Sequence, residues 1–341
     1  MLREWKAELI EAGGVLDCGA ILHYGNPQAE VLAAASGTVY CPLTHIGMIK
    51  ASGADAASFL QGQLSNDLLT LQDASQLSAY CTAQGRMIAL FRIVRRGEEL
   101  FLLLPRELLA SVLKRLTMYV LRAKVTLSAA DDWALLGLSG PAANEALKRA
   151  DLPAPALPEA ATGGALTIIA IPGPAPRYLL LGPEEAVRAF ASRDGISAVG
   201  SQAWAWLDIQ SGLPTIGSKT TEAFVPQMVN LDLLNGINFR KGCYPGQEIV
   251  ARTHYLGRLK QRMYRASLPR DQAVPAPGTA LAAPNLPGQP AGTVVDAQRG
   301  PDGQVDLLAV IQISSHDEGI VSLQDARLTF RDLPYPLAAS C

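Results

Sequence analysis

Between Asn238 and Arg258 the chain gathers a thiol, several cations, a carboxylate and two amides within a few turns of backbone. The run is Asn238-Phe239-Arg240-Lys241-Gly242-Cys243-Tyr244-Pro245-Gly246-Gln247-Glu248, followed by Arg252, His254, Gly257 and Arg258. Arg240 and Lys241 precede Cys243, and nearby positive charge favours thiolate over thiol. Gly242 and Tyr244-Pro245-Gly246 predict a tight turn that exposes the sulfur. From Gln247 onward the residues suit a helix or a strand, whose start offers free backbone N–H groups to an anion. The plain alternative is that a lone cysteine is a small buried hydrophobe. Local chemistry leaves these two readings level. A nucleophilic pair with His254 would require the two to meet in space, which spacing does not show.

Trp204 and Trp206 lie two residues apart and cannot face the same way on a helix, so one is expected in the core and the other exposed. An exposed indole is a platform for a flat heterocycle, although packing is its commoner use. Asp208 follows as a helix-end or ligand-facing carboxylate. Gln84-Gly85-Arg86 reads as a structural hairpin turn. His23, His45 and His316 are isolated. Gly13-Gly14, Cys18-Gly19 and Gly163-Gly164 lack the strand–GxGxxG–helix context of a dinucleotide fold.

The elements that must position these groups fit into 341 residues, enough for two or three domains. A net charge of −2 gives no global field for nucleic acid. The local basic run Arg258, Lys260, Arg262 and Arg265 reads as a solvated strand face. The cysteines Cys18, Cys41, Cys81, Cys243 and Cys341 are scattered, without metal-ligand spacing. That pattern points to a reducing compartment and away from structural zinc. Neither a signal peptide nor a membrane span is recognisable, so a soluble, cytoplasmic protein is expected.

Residues 2–12 are amphipathic and predict a helix. Residues 77–83 and 87–95 predict strands around the 84–86 turn, and 99–104 a third. Helices are expected over 56–64, from 105 to about 118, over 183–192 and over 201–211. Strands interleaved with helices point to antiparallel sheets with helices on one face. After residue 263, short apolar runs between Pro, Gly and Asp clusters predict a small β-barrel or sandwich.

Lys241-Gly242-Cys243-Tyr244-Pro245-Gly246-Gln247-Glu248 resembles the K-G-C-Y-x-G-Q-E signature of YgfZ-type folate-binding proteins, relatives of the glycine-cleavage T protein, an aminomethyltransferase. Phe224-Val225-Pro226-Gln227, Asn230-Leu231 and Gly236-Ile237-Asn238-Phe239 resemble the segment that precedes it. Gly53-Ala54-Asp55 with Phe59-Leu60-Gln61-Gly62-Gln63-Leu64 resembles the N-terminal G-x-D…Q-G-Q block. Asp332-Leu333-Pro334-Tyr335-Pro336-Leu337 resembles the C-terminus. The resemblance runs from about residue 38 to the end.

It implies an α+β fold: two α+β domains with antiparallel sheets and a C-terminal β-barrel around a central opening. The expected divisions are 1–130, completed by part of 200–260 if the domain is discontinuous; 131–260, carrying the signature; and 261–341. It further implies tetrahydrofolate or a derivative as ligand, and service to iron–sulfur proteins such as tRNA methylthiolases. By the same resemblance, the signature thiol, here Cys243, is expected to be needed for that service. Trp204 falls at a folate-stacking tryptophan of the family, and Ile46 replaces the other. Lys241, Tyr244, Gln247 and Arg252 complete the implied folate-binding set.

True aminomethyltransferases carry adjacent aspartates after a glycine-rich turn. The matching turn here, Gly85-Arg86-Met87-Ile88, leads into Ala89-Leu90, which can neither hold a cation nor move a proton. The expectation is therefore an accessory factor rather than a classical enzyme, with folate-dependent one-carbon transfer as the alternative. A tRNA-binding module is a third reading, disfavoured by charge. One cysteine is too few to hold a cluster, so iron–sulfur clients or assembly proteins are the expected partners. No metal, no stable nucleic-acid contact and a monomer are expected.

Overall fold

The computed structural model describes residues 2–193, 195–255, 257 and 259–337. Arg258 and Cys341, named above, lie outside them.

Two antiparallel sheets and a barrel-like sheet carry the chain. The first sheet has the order Ser75–Cys81, Met87–Arg96, Glu99–Pro105, Ile46–Ser52, Thr126–Ala129. Its central strands are apolar on both faces, because both faces are covered. Arg106–Met118 buries Leu108, Val112 and Leu116 against one of them, a one-turn spacing that makes a single stripe. The second sheet runs Ala160–Gly163, Leu166–Ala170, Arg177–Pro183, Trp133–Ser139, Val39–Pro42, Ser197–Ala198. Its last pair is parallel. The strand Val39–Pro42 thus joins the second sheet, whereas Ile46–Ser52, only a short turn later, joins the first.

A shared core fills the space between the sheets. Met48, Phe101 and Leu103 come from the first, Leu135, Ile169 and Leu179 from the second, and Trp204, Trp206 and Leu207 from the helix Ser201–Gln210. Both tryptophans are buried, which corrects the expectation that one would be exposed. Trp206 is held because its Nε1 donates to Asp306 at 2.8 Å, a partner far along the chain.

The barrel-like sheet has the order Ala280–Leu281, Gly292–Arg299, Val305–Gln312, Gln261–Leu268, Thr329–Arg331. Val295, Leu308 and Val310 pack with Ala79, Met87 and Leu90 of the first sheet and with Phe224, Leu231 and Val250 of the connecting segment. The C-terminal segment returns to this junction, where Tyr335 Oη donates to the Gly212 carbonyl at 2.8 Å. The observed architecture is the expected one: α+β, antiparallel, with a third β unit. Among the described residues, no helix is long and apolar enough to cross a membrane.

Candidate functional site

The strand Met87–Arg96 makes the first wall of a half-enclosed cavity of about 120 Å³ at the junction of the two sheets. Leu90 and Arg92 share one face of that strand, as its period of two requires, and both line the cavity. Ala89, Phe91 and Ile93 point the other way, into the core under Arg106–Met118. Ile46, Leu77 and Leu103 extend the first wall, and Leu135 and Leu179 make the second. The helix Ser201–Gln210 closes the end with Trp204 and Asp208, which sit one turn apart on the same side.

Trp204 is fixed from beneath and from one face. Gly137 lies under its ring: a Cβ there would fall 2.4 Å from the indole carbons. The Arg177 guanidinium sits 4.0 Å from the ring centroid. Arg177 also donates to Asp208 at 2.8 Å, and its side chain is wholly buried. Burial pushes the Asp208 carboxyl up and the Arg177 guanidinium down, each against the pull of the other. Arg92 completes the charges. Burial lowers it to about 10, which leaves it a cation at neutral pH. Asp296, on the barrel-like sheet, is pushed up to about 7 by burial, with the Asp208 charge adding to the effect.

Cys243 stands elsewhere, exposed on the turn that its neighbours predict. The turn is clamped by contact between two glycines. Gly246 has φ +79°, and a Cβ on it would lie 2.5 Å from the Thr82 carbonyl oxygen and 2.7 Å from Gly85 Cα. The 84–86 hairpin is therefore the seat of the cysteine loop. The helix Gln247–Tyr255 follows, so the open choice after Gln247 resolves to helix.

Lys241 anchors the loop from the other side. Its ammonium donates to the carbonyls of Gln61 and Leu64, where the helix Ala56–Gln61 ends, and lies 4.8 Å from the Tyr244 ring centroid. Burial lowers Lys241 to about 8. Ser65 and Asn66 add hydrogen bonds to the Gly236 and Asn235 carbonyls, at 2.7 Å each. The Q-G-Q block and the cysteine signature, remote in sequence, thus form one structural unit. Arg252 is exposed, and His254 stacks on Phe239 with centroids 3.8 Å apart. Among the described residues, no three His, Cys, Asp or Glu side chains gather to hold a metal ion.

Of the residues singled out from sequence, Ile46, Trp204 and Asp208 meet in the cavity. Cys243, Lys241, Tyr244, Gln247 and Arg252 are not among its lining. Arg92 and Arg177 had no motif to mark them. Arg92 had one faint signal, a lone cation in phase with Leu90 inside an apolar strand.

The fold defines the class first. A solved structure of the glycine cleavage system aminomethyltransferase T from Bartonella henselae matches with a TM-score of 0.82 at 18% identity, covering 97% of this chain and 96% of that one. Residues 22–158 match the family model for the GCVT N-terminal domain. Within that class, the tRNA-modifying protein YgfZ of Edwardsiella ictaluri is 35% identical over 299 residues, covering 84% of this chain and 89% of that protein. Its counterpart in Colwellia psychrerythraea is 29% identical over 322 residues, covering 92% and 98%. This chain belongs to the YgfZ family.

Proposed function

We propose that the protein binds a reduced folate in the central cavity and supports tRNA modification by maintaining iron–sulfur enzymes in the cytoplasm. The cavity carries this reading. It offers apolar walls, an indole and a small set of charged groups, the usual make-up of a site for a flat polar heterocycle. The volume, about 120 Å³, is small against a whole folate, so the tail would lie outside. Arg92 and Asp208 are the groups available to the ring's polar edge. Arg252, exposed, remains available to the carboxylates of the tail.

Cys243 is the thiol offered to a cluster, a persulfide or a client protein, outside the folate site. Lys241 holds that loop in place. One-carbon transfer is not part of the proposal, because Leu90 presents hydrocarbon to the cavity where the reaction would need a proton acceptor.

Calorimetric titration with tetrahydrofolate tests the first half. Trp204→Ala should weaken binding by about tenfold or more, and unchanged affinity would overturn the assignment. Complementation of cluster-dependent tRNA methylthiolation tests the second, since Cys243→Ala should fail to restore it. Full rescue by that variant would remove the thiol from the function.

A further inference from the structure

Three charged side chains line or support the cavity, and they do not balance. Arg177 and Asp208 neutralise each other at 2.8 Å. Arg92 has no such partner. Among the described residues its guanidinium makes one hydrogen bond, to Ser75 Oγ at 3.2 Å, and no ion pair. It lines the cavity beside Leu77, Leu90 and Leu103, and the one carboxylate there, Asp208, whose charge it feels, is already paired with Arg177. A guanidinium has five N–H donors in a planar fork and cannot accept. Two guanidinium groups share one carboxylate, so one positive charge is in surplus beside hydrocarbon, and a ligand that supplies an oxygen to Arg92 relieves that cost. A cationic ligand in the same place would add like-charge repulsion in a poorly screened space.

We infer that Arg92 sets which folates the cavity accepts: neutral reduced folates that present a carbonyl oxygen to the guanidinium, and not folates whose one-carbon unit is cationic. This rests on the folate reading above. 5-Formyltetrahydrofolate is uncharged at N5 and adds a carbonyl oxygen beside the ring. 5,10-Methenyltetrahydrofolate carries a positive charge shared between N5 and N10. The formyl compound takes up one proton and loses one water to give the methenyl cation, so the two are close in size and share the pterin ring, and differ mainly in charge and acceptor capacity.

The test is calorimetric binding of tetrahydrofolate, 5-formyltetrahydrofolate and 5,10-methenyltetrahydrofolate to the full chain. A mildly acidic buffer keeps the methenyl form intact. The wild type should bind the formyl compound about tenfold or more tightly than the methenyl cation. Arg92→Gln should bring that ratio to within about threefold, chiefly by admitting the cation. Arg92→Lys keeps the charge and should keep the exclusion. Equal wild-type affinities for the two derivatives, or an undiminished ratio in Arg92→Gln, would overturn the inference. Tetrahydrofolate binding would meanwhile keep the folate reading intact. Failure of all three compounds to bind the wild type would remove that reading itself. The wild-type ratio decides the matter even where Arg92→Gln does not fold.

Discussion

In the central cavity, Arg177 and Asp208 meet at 2.8 Å, with the Arg177 guanidinium over the Trp204 ring and Gly137 packed against the ring carbons. In the signature loop, Cys243 stands in solvent, and the surroundings hold the backbone rather than the sulfur. The two regions show two ways of presenting chemistry. The cavity positions side chains by burying them, so its groups are costly to change. The loop positions a turn, through Gly246 and Lys241, and leaves its reactive group free to meet a large partner. A small flat ligand suits the first arrangement and a protein surface suits the second.

The sharpest way to break this contrast is Arg177→Met. It leaves Asp208, a quarter exposed toward the cavity, without its ion pair and should cost about 2–4 kcal/mol in denaturant unfolding. A loss under about 1 kcal/mol would mean that the cavity charges are not structural. On the loop side, Gly246→Ala puts a methyl against the Thr82 carbonyl and Gly85 at a left-handed φ. The expected cost is about 1–3 kcal/mol, with Cys243 becoming more reactive to thiol reagents as its seat loosens. Unaltered stability and labelling would show that the clamp does not hold the loop.

Asp296 sharpens the comparison through pH. Unfolded, it titrates near its ordinary 3.8; folded, it titrates near 7. Below 3.8 both states are protonated, and the acid costs nothing. Between these values the folded chain keeps a proton that the unfolded chain has lost, so this group's contribution is lost as pH rises and is gone above 7. Asp296→Asn should therefore match the wild type near pH 4 and exceed it by about 1–2 kcal/mol at pH 8. Equal stabilities at pH 8 would place the carboxylate in water. The smallest effect belongs to Cys243→Ser. Being exposed, it should change stability by less than about 0.5 kcal/mol while removing thiol chemistry, as unfolding curves would record.

The loop was the most legible part of the site because its determinants are neighbours. Glycines, a proline and an exposed sulfur in one short run state a turn without help from elsewhere. Ile46 was reached only through family likeness, which also chose Trp204 over Trp206 as the candidate platform, and the two do meet in the cavity. Arg177 was hidden because its partners, Trp204 and Asp208, lie on a different element. Lys241 was read as a cation facing a ligand. Its two carbonyl partners at the end of Ala56–Gln61 belong to a contact between remote segments, which no local pattern encodes. That both tryptophans are buried was missed for the same reason, since the Trp206 indole finds its partner in the distant Asp306. The sheets themselves followed from alternation and turn chemistry. The membership of Val39–Pro42 did not, because a strand's partner is not written in its own residues.

That strand bears on the order of assembly during synthesis. The first sheet draws on residues between Ile46 and Ala129 and can close once they have left the ribosome. Val39–Pro42 emerges earlier but must wait for Trp133–Ser139 on one side and Ser197–Ala198 on the other. Until then it is an apolar strand with unpaired edges, the kind of segment that invites wrong pairing or chaperone capture. The cavity, whose end wall is the helix directly after Ser197–Ala198, is therefore among the last parts of the two-sheet core to be completed on the nascent chain.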